Sequence, residues 1–212
     1  MSDARPVPHL VVLSGPSGVG KGTVGRRLLE KNPREIAKAV TATTRAPRPG
    51  EFDGVHYRFM TREEFLARRE RGEFIETAEV YGNLYGTLRE EVDKTLARGV
   101  TCLLEIDVQG ARRIRESGVP HLSAFLEPPS LEELERRLRH RGTEAEDVIR
   151  RRLDTAKAEL EEKSHYDRVI LNDHIDAAAR RLEAFLRERG AMAPGRGERE
   201  AKGAPDGPRE EG

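Results

Sequence analysis

Gly15-Pro16-Ser17-Gly18-Val19-Gly20-Lys21-Gly22-Thr23 decides how the rest of the chain is read. It follows the apolar run His9–Ser14 and precedes helical spacing at Val24, Leu28 and Leu29, which Asn32-Pro33 ends. Strand, glycine loop, lysine and helix are together the context of a phosphate-binding loop. The glycines let the backbone turn sharply and aim its N–H groups inward. An anion there also meets the positive end of the helix dipole. Lys21 adds a mobile point charge for the outer phosphates of a triphosphate. A plain glycine-rich turn would need neither the lysine nor the flanking elements. The position after the lysine, where a Ser or Thr hydroxyl normally holds Mg²⁺, is Gly22, and the hydroxyl falls one place later on Thr23. Either Thr23 reaches the metal or water fills the place.

Further along, Val40–Thr44 and Val55–Met60 read as short strands on either side of a loop rich in Pro, Gly and Arg. Thr61 and Glu64 fit a capping box for a helix with Phe65 and Leu66 inward and Gly72 at its end. Phe74–Val80 predicts a strand. Thr87 and Glu90 fit a second capping box, opening a helix with Leu88, Val92 and Leu96 inward that stops at Gly99. Val100–Ile106 and Leu122–Leu126 are continuous apolar runs, as in strands buried on both faces. Ser130 and Glu133 cap a helix carrying Leu131, Leu134 and Leu138, and Gly142 breaks it. Thr143 and Glu146 cap a long polar helix to about Ser164. Val169–Leu171 and Ile175–Arg189 read as a last strand and an amphipathic helix.

Strands alternating with helices predict an α/β fold, a parallel central sheet of the P-loop NTPase type flanked by helices. The closely spaced strand signals of residues 41–88 predict an inserted β-rich subdomain. Residues 1–8 read as a flexible start, 9–190 as one domain, and 191–212, all Gly, Pro, Ala and charge apart from Met192, as a disordered tail.

The chain has 212 residues, enough for one medium domain with a real core. Lys plus Arg and Asp plus Glu both number 38, so no global field draws it to nucleic acid or to an anionic membrane. Any anion site must be local. Cys102, the single cysteine, forms no internal disulfide and reads as a buried strand residue. No run approaches the ~20 apolar residues of a membrane span, and Met1–Pro8 lacks the apolar stretch of a signal peptide. The expected location is therefore the cytoplasm.

Thr41-Ala-Thr-Thr-Arg45-Ala-Pro-Arg48-Pro-Gly-Glu51 narrows the chemistry. Two arginines three residues apart on a constrained loop suit one phosphate gripped from two sides. Tyr57 and Tyr85, in GVHYRF and GNLYGT, offer hydroxyls that donate to phosphate without adding charge. Taken singly, the arginines fit an exposed loop and the tyrosines fit core packing equally well.

Taken together, GPSGVGKGT, TTRAPRPGE with DGVHY, FIETAEVYGNLYGT, LEIDVQGA, PPS, RHRGTE and VILND resemble the guanylate kinases, from about His9 to Arg189. The resemblance implies transfer of the γ-phosphate of ATP to GMP, with Mg²⁺, in purine nucleotide metabolism. The loop Gly15–Thr23 would bind ATP, with Asn172 beside the adenine. Arg45, Arg48, Tyr57 and Tyr85 would bind the GMP phosphate. Thr41, Glu51, Glu76 and Thr87 would line the GMP site, with Glu76, Thr87 and Asp107 at the base. Lys21, Arg137, Arg141 and Arg152 would act on the moving phosphoryl group, the last three from a helical lid at 131–165. Thr23 and Glu105 would lie near the metal. The core would comprise 9–40, 89–130 and 166–190, and the GMP-binding subdomain 41–88. Gly22, Thr41 and Glu105 depart from the commonest family pattern, the last two mildly.

Chemistry supports guanine. Its N1–H and exocyclic amine both donate along one edge, and a carboxylate such as Glu76 accepts from both. Adenine would leave that carboxylate unpaired, and such a mismatch is worth roughly 10⁴–10⁵ in selectivity. No residue is committed to the ribose 2′-hydroxyl, so dGMP is expected to serve too. The β-rich subdomain and the lid are expected to close only over bound GMP, shielding ATP from water. Gly50, Gly54 and Gly142 are candidate hinges. Two alternatives remain: a non-catalytic binding module of the same fold, as in scaffold proteins, and a P-loop kinase for another small phosphorylated substrate. Monomer and homo-oligomer are both compatible with the sequence.

Overall fold

β1 (Leu10–Ser14) is buried at every residue and alternates between two cores. Val11 and Leu13 join Leu28, Leu103, Ala124 and Leu182 on one face. Leu10 and Val12 join Val92, Cys102, Leu104 and Ile114 on the other. A strand with helices over both faces has no polar side, which is why it reads as an unbroken apolar run. It is the centre of a five-stranded sheet in the computed structural model, which describes residues 6–80, 82–140 and 146–194.

α1 (Lys21–Lys31) follows the glycine loop, and β2 (Ile36–Lys38) returns to the sheet. β3 (Ala42–Thr43), β4 (Arg58–Phe59), α2 (Arg62–Glu70), β5 (Phe74–Val80) and β6 (Asn83–Leu88) build a second sheet with its own small core. α3 (Arg89–Ala97), β7 (Thr101–Glu105), α4 (Val108–Ser117) and β8 (Leu122–Glu127) rejoin the main sheet. α5 (Leu131–His140) and α6 (Glu146–Glu161) follow, then a 3₁₀ turn at Glu162–His165, β9 (Arg168–Leu171) and α7 (Ile175–Glu188). The main sheet runs β2-β7-β1-β8-β9, parallel throughout. The second runs β4-β3-β6-β5, with β6 antiparallel to both neighbours.

This order lines up the carboxyl ends of β7, β1, β8 and β9 along one edge of the sheet, where open parallel sheets bind ligands. The phosphate loop leaves β1, Glu105 and Asp107 close β7, and Asn172 follows β9. In the second sheet, Thr61 caps α2 by accepting from the Glu64 N–H at 3.1 Å, as expected from the capping box. Phe65 inside that helix stacks on Phe74 with ring centroids 4.4 Å apart.

Several expectations are corrected. Thr87 caps no helix: it lies in β6 with its hydroxyl turned to Glu76, and α3 starts after Leu88 without a side-chain cap. A Thr three residues before a Glu fits a capping box and a cross-strand polar pair alike, and burial decides for the pair. The runs Val40–Thr44 and Val55–Met60 shrink to two-residue strands, and Val55 is exposed. β2, β6 and α4 were not read from the sequence. α4 hides because its cap, Asp107, follows an apolar strand without a turn residue; the carboxylate accepts from Gly110 N–H at 2.7 Å. The tail does not begin at residue 191. Ala191 and Met192 are buried in the main core, and the Thr101 hydroxyl donates to Ala191 O at 2.6 Å. Within the expected flexible start, Val7 N–H donates to Gly190 O at 3.0 Å. The breaker Gly142 and cap Thr143 lie outside the described residues, as does the chain beyond 194.

Candidate active site

Gly15, Gly18 and Gly20 hold φ of 142°, 87° and 99°, which L side chains rarely adopt. At Gly15 a Cβ would also stand 2.4 Å from the carbonyl oxygen of Leu126. The loop is therefore pressed against β8, which fixes its height above the sheet. Lys21 Nζ donates to Gly15 O at 2.6 Å and to Pro16 O at 3.2 Å, so the ammonium is folded onto its own loop. Lys21, Ser17, Asp107, Arg151, Arg152 and Glu159 line one cleft of ≈ 630 Å³.

A smaller cavity of ≈ 210 Å³ adjoins it, lined by Thr41, Tyr57, Glu76, Tyr85, Glu105 and Asp107 among others. Asp107 and Val80 belong to both. Glu76 and Thr87 are register partners across β5 and β6, and the Thr87 hydroxyl donates to Glu76 Oε1 at 2.8 Å. Burial lifts the Glu76 carboxyl above the ordinary carboxylate range; the Thr87 hydroxyl opposes the shift and the Asp107 charge adds to it. A buried, polarised acceptor at the base of a cavity is ready for a ligand that donates.

Arg45 stands at the rim. Its guanidinium donates to both oxygens of Glu51 at 2.9 Å and lies 5.4 Å from the centre of the Tyr57 ring. Arg48 donates its backbone N–H to Glu51 at 2.8 Å while its side chain is exposed. Those two bonds, the Arg48 N–H first, hold the Glu51 carboxyl below the ordinary range. Glu51, expected to line the site, is paired with Arg45 at its rim.

On the other side of the phosphate loop, Gly18, Gly20, Thr23, Arg137 and Asn172 line a cleft of ≈ 520 Å³ with Ile175. Asn172 Nδ2 donates to Val19 O at 2.7 Å, while its buried Oδ1 has no hydrogen-bond partner among the described residues. Arg137 donates to Glu133 at 2.8 Å, to Asn172 O at 3.1 Å and to Val19 O at 3.4 Å. Leu138 packs where a Cβ on Gly18 would stand 2.7 Å away, seating α5 on the loop. Arg137 and Arg152 therefore flank the loop from opposite clefts, and Arg141 lies outside the described residues.

Thr23 and Glu105, paired as metal residues from sequence, line different clefts. Glu105 takes an ion pair from Lys38 at 2.7 Å and lies beside α1, where a Cβ on Gly22 would stand 3.7 Å from its Oε2. A Ser hydroxyl at position 22 would point at Glu105; on Thr23 it points the other way. Asp107 and Glu105 carry hard oxygen donors of the kind Mg²⁺ takes together with water, and among the described residues no group of three or more His, Cys, Asp or Glu gathers to hold a metal without it. Cys102 stays apart, its thiol pushed up to about 11 by burial and hence inert. Glu159 was not singled out from sequence. The signal is a helical stripe, Val148, Arg152, Thr155 and Glu159, that all faces the Lys21 cleft.

Comparison with known proteins gives one answer. The family described as guanylate kinase matches residues 7–189. The chain is 52% identical over 182 residues to a guanylate kinase of Synechococcus sp. (strain CC9311), covering 86% of this chain and 93% of that protein. It is 51% identical to a guanylate kinase of Bifidobacterium longum (strain NCC 2705), covering 88% and 97%. The crystal structure of guanylate kinase from Anaplasma phagocytophilum superposes with a TM-score of 0.68 at 39% identity, covering 91% of each chain.

Proposed function

The chain belongs to the guanylate kinase family and moves a phosphate from ATP to GMP; within that reaction, we propose how its residues divide the task. Guanine enters the smaller cavity and donates its N1–H and amine to Glu76, whose Oε1 is steadied by Thr87. Thr41 lines the wall and Asp107 the junction with the ATP cleft. Arg45, held square by Glu51, takes the GMP phosphate with Arg48 and the Tyr57 and Tyr85 hydroxyls. Residues 41–88 act as the GMP-binding subdomain and 131–165 as the lid. Neither requires a membrane: no described helix is long and apolar enough to cross one.

ATP lays its phosphates along Gly15–Thr23. Asn172 Oδ1, buried and unpaired among the described residues, accepts from the adenine amine, with Arg137 alongside. Transfer needs alignment and neutralised charge rather than a covalent intermediate. Lys21 leaves its loop carbonyls for the phosphate oxygens, and Arg152 faces it across the cleft, with Arg137 and Arg141 completing the lid's contribution. Mg²⁺, when bound with ATP, neutralises charge on the β- and γ-phosphates; Asp107 and Glu105 would hold it through water. The observation that carries this division is Glu76, bonded to Thr87 behind it, lining a cavity that shares Asp107 with the Lys21 cleft.

The test is ADP release from ATP and Mg²⁺ with GMP, dGMP, AMP, UMP and CMP. Turnover is expected with GMP and dGMP and lower by roughly 10⁴ with AMP. Comparable rates with AMP would remove the base-reading role of Glu76. Folded protein that binds GMP without turnover would make the chain a binding module.

A further inference from the structure

α6 faces the phosphate loop with one stripe. Val148, Arg151, Arg152, Thr155 and Glu159 all line the cleft that holds Ser17, Lys21 and Asp107. Arg152 and Glu159 are seven residues apart, two turns, and so lie on one face. Glu159 touches the loop backbone directly: its Oε2 accepts from the Ser17 N–H at 3.3 Å. The two residues stand 142 positions apart in sequence, so this bond joins the lid helix directly to the loop that carries the ATP phosphates.

We propose that Glu159 is a positioning residue for phosphoryl transfer: through the Ser17 N–H it sets the register of α6 on the phosphate loop, and thereby where Arg152 meets the moving phosphoryl group. The helix rises about 1.5 Å per residue, so the anchor and the arginine are separated by about 10 Å of stiff rod. Between them α6 packs on α5 through Ala156 and Leu153, against Leu134 and Leu138, which leaves the height of the stripe above the phosphate loop to the contact at its Glu159 end. A small pivot at the anchor becomes a displacement at the guanidinium, and about 1 Å of misplacement costs about 10²-fold in rate. The surroundings suit an acceptor rather than a charge. Burial lifts the Glu159 carboxyl above its ordinary range, and the Asp107 charge adds to that, against the Ser17 N–H and Lys21. An amide oxygen would hold the N–H as well, and would take a negative charge away from the approaching phosphates.

The inference rests on the assignment of Arg152 to the phosphoryl group, so the experiment tests both. Steady-state kinetics with ATP and GMP are measured for Glu159→Ala, Glu159→Gln, Arg152→Ala and the double variant Glu159→Ala/Arg152→Ala, each with its melting temperature. Glu159→Ala is expected to lower kcat about tenfold to hundredfold, with KM for GMP unchanged. Glu159→Gln is expected to restore kcat to within about threefold of the parent, because it keeps the acceptor. In the double variant the second change is expected to add little, since both act through one group. Normal turnover in Arg152→Ala would remove the Arg152 assignment itself. With Arg152→Ala slow, normal turnover in Glu159→Ala overturns the inference, as does a Gln variant as slow as the Ala variant, or full additivity. Should Glu159→Ala not fold, Glu159→Asp keeps the charge and withdraws the oxygen by one methylene: slowed turnover supports the anchor and unchanged turnover overturns it.

Discussion

The two sheets of this molecule offer the two substrates proposed for them different means of recognition. The parallel sheet presents backbone. Its phosphate loop is a run of consecutive residues whose glycine conformations, seated against Leu126 O of β8, fix the N–H groups. The smaller sheet presents side chains. Glu76 and Thr87 meet only because β5 and β6 pair antiparallel in one register, and Tyr57, Tyr85 and Arg45 meet through loops and two-residue strands. The phosphates of ATP carry no base identity, so a backbone cradle with one lysine can hold them without reading the base. A base must be told from other bases, which takes a side-chain acceptor held dry against its own preference for water.

Lys21→Ala should give the largest effect and should not distinguish acceptors. With the ammonium gone, kcat is expected to fall by about 10²–10³, equally for GMP and dGMP, with KM for GMP little changed. A loss confined to one acceptor would break the separation between the two sheets. The fold should survive, because Lys21 contributes to the loop through its side chain while the glycines hold the backbone.

Glu76→Gln should give the next effect and fall wholly on base choice. An amide turned to accept from one guanine donor confronts the other with its own N–H, so kcat/KM for GMP is expected to drop about 10²-fold. Discrimination against AMP should narrow. Stability should move the other way. Burial raises the folded-state pKa of Glu76 above its unfolded value, so the stability it allows is complete below the unfolded value of about 4.3 and is lost as pH rises through the folded-state value. Glu76→Gln removes that loss, and its melting temperature is expected to exceed the parent's at neutral pH but not at pH 4. An equal or lower melting temperature at neutral pH would mean that the carboxylate is not stored at a cost.

The same division governs what the sequence discloses. The phosphate loop, the helix after it and the buried strands at Val100–Ile106 and Leu122–Leu126 are legible because each is a contiguous pattern whose cause is local: glycine, lysine, an unbroken apolar run. Thr87 was misread as a helix cap because its partner lies 11 residues back, on another strand, while a Glu lay at capping distance ahead. Asp107 was assigned to the base, but its role as cap of α4 was not seen, since the helix opens directly from the strand end. Thr23 and Glu105, paired from sequence, line different clefts for a geometric reason. Adjacent residues on a helix point about 100° apart, so moving the hydroxyl from 22 to 23 turns it into the other cleft. Glu159 was illegible because its meaning depends on Ser17, a backbone group at the far end of the chain.

Thr87→Val is the smallest change that probes this difference. Valine keeps the shape of threonine and the β-branching that suits β6, so the strand should remain, but Glu76 Oε1 loses its donor. A hydrogen bond to a charged group contributes about 1.5–3 kcal/mol, part of which bound guanine recovers by donating to the same carboxylate. The expected loss in kcat/KM for GMP is therefore about tenfold, less than that of Glu76→Gln, with kcat at saturation nearly intact. The pH profile carries the sharper reading. The Thr87 hydroxyl is the chief influence holding the Glu76 carboxyl down against burial, so removing it raises that carboxyl further. Only the ionised form accepts from both guanine donors. The acidic limb of kcat/KM for GMP should therefore move to higher pH in Thr87→Val, while the limb for ATP stays in place. A profile that shifts for both substrates would mean that the two sheets share their electrostatics through Asp107, which lines both clefts, and that side chains as well as backbone tune the phosphate site.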